Sequence, residues 1–368
     1  MKMNAKKAPV AKHDYIREDE GFFGPESVAW KVWTFPASAF QGFVRAVTIE
    51  HLDPDLATAI EHSCQVVQRT PIRYDRTMEY FAAVLFADSK TVIKMADVLM
   101  KVHGRSYGPN PVTGKDYDSN ASESQKWIHI TAWHSIIYVY ETFGPGKLSR
   151  DEENQYWAEC KTAAKFQPID LTDFPETRGQ AQEYLDSWRE KLGASEAAVF
   201  NIDHILDAFT TAFHGLPRPL QVIGRPFFRW SVIATYPRWM RKMAGVKQGP
   251  VKDAFAIALW RVILRSVYKF PALEMWFIDA VNPRGAKYVE QGVRKIPAKT
   301  PRVYTPEVAR KMHGDPRSPL EQAKDMAAAR QQGTGLNRYG HNHKDDIIEF
   351  ESARSADGSE ITTPQKAS

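Results

Sequence analysis

Apolar residues recur at close to helical spacing from about residue 38 to residue 290, and runs that alternate apolar with polar are few. Proline and glycine interrupt the pattern at "LDPDLA", "QRTPIR", "YGPNPVTG", "TFGPGKLS", "HGLPRPL", "YPRW", "KQGP" and "NPRG". Two starts, "SRDEENQYW" and "ASEAAVF", place a serine ahead of early acidic residues, as a helix N-terminus does. The pattern predicts an all-α fold, a bundle of roughly a dozen helices. "WIHITAWHSIIYVYETFG" is apolar on nearly every side, which predicts a central helix buried all round. The sequence shows no Gly-rich dinucleotide loop after a strand, no P-loop and no internal repeat.

The same pattern divides the chain. Residues 1–20 are polar and are expected to be flexible, and residues 21–295 carry the helical domain. Residues 296–368 are polar and are expected to form a largely disordered tail, because so little apolar surface cannot offset the entropy of ordering. The 10 Trp, 14 Tyr and 19 Phe concentrate between residues 22 and 280, which puts the core there.

Composition excludes more than it assigns. A formal charge of +5 with bases and acids interleaved gives no footprint for nucleic acid. Cys64 and Cys160 lie far apart without a CxxC, which argues against a disulfide scaffold or zinc ribbon and fits a reducing, cytoplasmic setting. The N-terminus has no signal-like apolar run, and no stretch is long enough to span a bilayer. Residues 219–280 form long amphipathic stretches with interspersed Arg and Lys. They read as helices packed on the core, or as a face for peripheral membrane contact or a lipid-like substrate.

Four places could carry chemistry. Arg73 and Thr77 are four apart in "IRYDRTMEYFAAVLFAD", on a face that continues into Tyr80 or Phe81 and Val84. That suits an anionic group at the edge of an apolar pocket, or a surface arginine with a local hydrogen bond. His103 ends an apolar helical stripe through Val92, Ala96 and Leu99, as a core histidine or as an iron ligand. His129 and His134 are five apart, roughly 140° around a helix, so they do not readily share a metal. His129 lies with Trp133, Ile136 and Tyr140 and could line a pocket. Asp203, His204, Asp207 and His214 offer a carboxylate–histidine set for non-haem iron, without a second Glu-x-x-His motif to complete it. His341 and His343, in "HNH", read as part of a solvated polar run.

The order "GFFGPESVAW", "RYDRTMEYFAAVLFAD", "MKVHGRSYGPNPVTGKDY", "KWIHITAWHSIIYVYETFGPGKLSRDEENQYWAEC", "RPFFRWSVIATYPRWMRKMAG" resembles the family of MpaB and the latex-clearing rubber oxygenases over roughly residues 20–295. The resemblance implies a globin-like helical core that binds b-type haem and uses dioxygen, with an isoprenoid carbon–carbon double bond as substrate in characterised members. It implies that His103 is the proximal iron ligand and that Arg73, Arg76 and Thr77 match the Arg-x-x-basic-Thr motif near the haem. His129 becomes a further cofactor contact. Two departures stand out. Rubber oxygenases carry a lysine where this chain has Arg76, which stays protonated and is a poor ligand. Their upstream acidic residue has Glu61 as its nearest counterpart, at a different spacing, so rubber cleavage is not implied. The expected function is a haem-dependent oxygenase of a hydrophobic small molecule. The alternative is a haem- or lipid-binding helical protein without turnover, associated with a membrane.

Overall fold

The computed structural model describes residues 12–62, 66–207 and 217–335. These hold sixteen α-helices, one π-helical turn and one short hairpin. In chain order they are α1 (Val28–Trp33), the π-turn (Ser38–Gly42), α2 (Phe43–Glu50), α3 (Pro54–His62), α4 (Val66–Phe86) and α5 (Ser89–His103). Strands β1 (Tyr107–Pro109) and β2 (Asp116–Asp118) follow, then α6 (Ser122–Phe143), α7 (Arg150–Ala164), α8 (Arg178–Ser187) and α9 (Glu196–Leu206). The chain continues with α10 (Arg218–Ala234), α11 (Arg238–Met243), α12 (Pro250–Tyr268), α13 (Pro271–Val281) and α14 (Ala286–Val293). It closes with α15 (Pro306–His313) and α16 (Pro319–Gln331). The all-α expectation holds.

The serine starts read from the sequence are helix caps. Ser149 forms a capping box with Glu152 at α7, and Ser195 accepts from the Ala198 amide at α9. The hairpin was not legible as such. Its antiparallel strands, with Tyr107 opposite Asp118, close over a turn that Asn110 holds by accepting from the Val112 amide at 2.8 Å.

Helix α6 is the central helix that its uniform apolarity predicts. Trp127, Ile130, Trp133, Ile136, Ile137, Tyr140 and Phe143 are all buried on it. Around it pack α2, the π-turn, α7, α8 and α12. Trp133 meets Trp33 at 5.5 Å and Tyr156 at 4.9 Å between ring centroids, and Trp127 stacks on Trp188 at 4.5 Å. The π-turn and α2 cross α6 closely because residue 42 is glycine. A Cβ there would sit 2.7 Å from Val139 Cγ2 and 2.8 Å from Ile136 Cδ1.

Composition assigns residues 299–331 to the tail, yet they are docked. Amides of Lys299 and Thr300 donate to the carbonyls of Arg17 and Glu18, that of Glu20 to Arg302, and that of Tyr304 to Gly21, at 2.9–3.0 Å. Helix α15 packs on α5, with Ala309 fully buried and Arg310, 3% exposed, paired to Asp97 at 3.0 Å. Arg330 of α16 pairs with Asp118 and covers the Tyr107 ring. Backbone pairing and arginine anchors thus supply what the segment lacks in apolar residues. Residues 1–11 and 336–368 lie outside the described residues, as do Cys64, His214, His341 and His343.

Glu274 on α13 is 3% exposed, and burial raises its carboxyl from the usual 4.5 to about 8. The folded chain therefore keeps this proton over a range in which the unfolded chain has released it. Stability from this group is complete below about pH 4.5 and is lost as pH rises through about 8. Glu274→Gln, which cannot ionise, is expected to exceed the parent in stability by about 2–4 kcal/mol at pH 9 and to match it near pH 5. Urea unfolding at the two pH values checks this. A pH-independent difference would remove Glu274 from the account.

Candidate functional site

His103 is the last residue of α5, an amphipathic helix that Asp88 caps by accepting from the Thr91 amide and that Gly104 ends. Its stripe Val92, Ile93, Ala96 and Met100 is buried, so the helix presses inward and carries the histidine with it. The ring is half-buried. Burial chiefly, and then the charge of Arg73, lowers its pKa to about 4, against an opposing pull from Asp118. The imidazole is neutral at pH 7.

Arg73 on α4 lies within electrostatic reach of His103. It is also within electrostatic reach of His51, which sequence reasoning missed. His51, at the C-terminus of α2, is 3% exposed and donates Nδ1–H to the Val47 carbonyl at 2.6 Å. Its pKa falls to about 4 through burial, with Arg73 adding to the drop and the Val47 bond resisting it. That bond puts the lone pair on Nε2. Nothing in "EHLDPDLA" signals a site residue, because the electrostatic proximity of His51 to Arg73 is purely tertiary.

A chain of polar side chains leads away from His103. Gln125 on α6 places Nε2 3.2 Å from His103 Nδ1 and donates to the Ser119 carbonyl at 2.7 Å. Gln167 Nε2 donates to Gln125 Oε1 at 3.3 Å, and Gln167 Oε1 lies 2.6 Å from His129 Nδ1. His129 Nε2 reaches the Cys160 carbonyl at 2.9 Å. His129 is buried, with its pKa lowered to about 4 mainly by burial. Both ring nitrogens are enclosed by oxygens, of which a neutral ring donates to one, and His129 packs behind His103 through two amides. Gln125 and His129 are four apart on one helix face, and that spacing was a readable signal.

The rest of the motif is dispersed. Arg76 is half-buried, whereas Thr77 is exposed and makes no side-chain hydrogen bond among the described residues. The face expected to follow them does turn inward, with Tyr80, Phe81 and Val84 buried. Glu61 is exposed on α3. His134 lines a small cavity of about 40 Å³ with Arg45, Trp127 and Thr131, and burial lowers its pKa to about 3.

The non-haem iron reading fails on its carboxylates. Asp203 and Asp207 are taken by Arg229 at 2.5 and 3.2 Å, and Asp207 also pairs with Arg225. Among the described residues no three His, Cys, Asp or Glu side chains converge on a point that could hold a metal ion.

A haem iron asks less of the protein, namely one neutral imidazole nitrogen with its lone pair available and a cation nearby. His103 Nε2 makes no hydrogen bond among the described residues, and Arg73 supplies the charge. Ligation through Nε2 requires the proton on Nδ1. Gln125 Nε2 is held as a donor by the Ser119 carbonyl and faces Nδ1, so in this arrangement the proton is on Nε2, and Nε2 becomes a ligand only when the imidazole changes tautomer and Gln125 turns away from Ser119. With that change of tautomer the donor set fits haem. Residues 30–267 match the family described as ER-bound oxygenase mpaB/B'/Rubber oxygenase, catalytic domain. No curated protein and no solved structure matches the chain.

Proposed function

Because the chain belongs to the mpaB/rubber oxygenase family, and so to a family of oxygenases, we propose that it is a b-type haem-dependent oxygenase of a hydrophobic, alkene-containing small molecule of isoprenoid or lipid-like type. The observation that carries the reading is the neutral imidazole of His103 at the end of α5, within electrostatic reach of Arg73. Haem, when bound, supplies the activation of dioxygen. His103 would donate a ring nitrogen to the iron, and Gln125, Gln167 and His129 would hold the ring in place. Arg73 would pair with a propionate. Arg76 keeps its proton at all ordinary pH and contributes charge rather than an iron ligand.

The absorption spectrum of the purified full chain tests haem binding, and oxygen uptake with a series of terpenoid and lipid alkenes tests turnover. A Soret band without uptake would make the protein a binder, and a colourless chain after haem reconstitution would sink the proposal. Arg73→Ala is expected to lower haem retention well beyond Arg150→Ala or Lys147→Ala, both at exposed positions. Thr77→Ala is expected to do less than Arg73→Ala, given its exposure. Equal, small losses at all four would reduce the motif to a structural one. Gln125→Leu, which removes the partner of His103 Nδ1, is expected to weaken haem binding by about 10–100-fold with the fold intact. Haem titration followed by circular dichroism checks both halves of that expectation.

A further inference from the structure

Helix α12 carries two apolar faces. Ala256, Trp260, Leu264 and Val267 are buried against α6 and α10. Half a turn away, Val251, Phe255, Ala258 and Val262 recur at positions i, i+4, i+7 and i+11, and all four are exposed. The exposure is large: 81% for Val251, 51% for Phe255 and 68% for Val262. Helices α10 and α13 flank α12, and Phe227 of α10 meets Phe255 at 6.3 Å. Ile223 of α10 at 62%, Trp276 of α13 at 45% and Phe270, which precedes α13, at 56% exposure extend it. An apolar surface of this extent on three adjoining helices is more than scattered exposure.

The charge around it is predominantly basic. Residues 218–281 contain 11 Lys and Arg against three acids, Asp253, Glu274 and Asp279, leaving 38 against 41 in the rest of the chain. Interleaving of charge therefore describes the chain as a whole but not this segment. Part of the excess is offset by ion pairs: Asp203 of α9 and its C-cap Asp207 hold Arg229 and Arg225. Asp253 is paired with Arg241, Asp279 with Lys12, and Glu274 is buried. Lys247, Lys252 and Lys269 are exposed beside the apolar residues, and Lys252 lies over the Trp230 ring at 4.8 Å.

We propose that the α10–α12–α13 face docks on a lipid bilayer bearing anionic headgroups. Exposed apolar side chains enter the acyl boundary, tryptophan suits the interface, and long cationic side chains reach lipid phosphates. A protein partner fits less well, because interface cores are depleted in lysine. Among the described residues no helix is long and apolar enough to cross a membrane, so the attachment is peripheral. The proposal stands apart from the haem assignment, since none of these residues belongs to the His103 site.

Co-sedimentation of the full chain with phosphatidylcholine vesicles, with and without about 30% phosphatidylserine, tests it. The expected result is at least about tenfold stronger binding to the anionic vesicles, weakened by high salt. Val251→Asp/Phe255→Asp should abolish it with circular dichroism and melting temperature unchanged. Lys252→Glu/Lys269→Glu should abolish the preference for anionic lipid. Absence of binding to either vesicle overturns the proposal, as does binding that survives Val251→Asp/Phe255→Asp. A dimer in sedimentation velocity that the same pair of substitutions dissolves, without vesicle binding, assigns the face to a second copy instead. Binding seen only after removal of residues 336–368 assigns it to that segment.

Discussion

The His103→Ala protein, purified as the full chain, is expected to retain less than about a tenth of the haem of the parent, because removing an iron ligand costs more than disturbing its supporting shell. The loss should be selective. Residue 103 ends its helix, is only half-buried, and is not part of the buried stripe of α5. The alanine chain should therefore fold, with helical circular dichroism intact and the Soret band gone. Added imidazole should restore part of the band, since it supplies the missing nitrogen. Full haem with an unaltered spectrum would reject His103, and His51 would replace it, because its Nδ1 bond to Val47 leaves Nε2 with a lone pair. The parent ferric spectrum is expected to be high spin, as both nitrogens of His129 are enclosed by Gln167 and the Cys160 carbonyl and Arg76 cannot ligate. A low-spin spectrum lost in His51→Ala would assign His51 as a second ligand.

Ending the chain at residue 300 is expected to lower the melting temperature by on the order of 10 °C, or to prevent folding, although composition marks that region as a tail. Truncation removes the Arg310 partner of Asp97, the Arg330 partner of Asp118, and the Arg302 and Tyr304 bonds to residues 20 and 21. Breaking a buried ion pair alone costs about 3–5 kcal/mol. Arg310→Ala in the full chain isolates that part and should account for a substantial share of the shift. Calorimetry on the two proteins decides. A truncated chain that melts with the parent would mean that α15 and α16 rest on a domain complete without them.

What could be read from the sequence divides along physical lines. Local signals were sound. The 3.6-residue period, the serines at 149 and 195, and the all-round apolarity of α6 each reflect interactions within a few residues of chain. The docking of 299–331 was not legible, because it depends on main-chain hydrogen bonds and on arginines reaching distant acids, neither of which raises local hydrophobicity. In the candidate site, the motif positions led to Arg73 and His103, which do lie within electrostatic reach of each other. Thr77 turned out exposed because four residues of helix carry a side chain only approximately to the same face. His51 and Gln167 join from segments whose sequences carry no site signal, and the acidic cluster of α9 serves arginines on α10.

The strap between residues 17–21 and 299–304 also constrains how this chain is made. Its strands of backbone lie about 280 positions apart, and the His13 side chain finds its Glu290 partner across a similar gap. At translation rates of roughly 5–20 residues per second, the opening segment waits on the order of 15–60 s before its partner is even synthesised. Closing so long a loop pays its entropy before any contact rewards it, so this pairing forms late. Until then Trp30 and Phe22, beside that segment, lack part of their covering and are surfaces for a chaperone to hold. A nascent chain arrested before residue 299 should remain bound by holdase chaperones, and release should coincide with emergence of the strap.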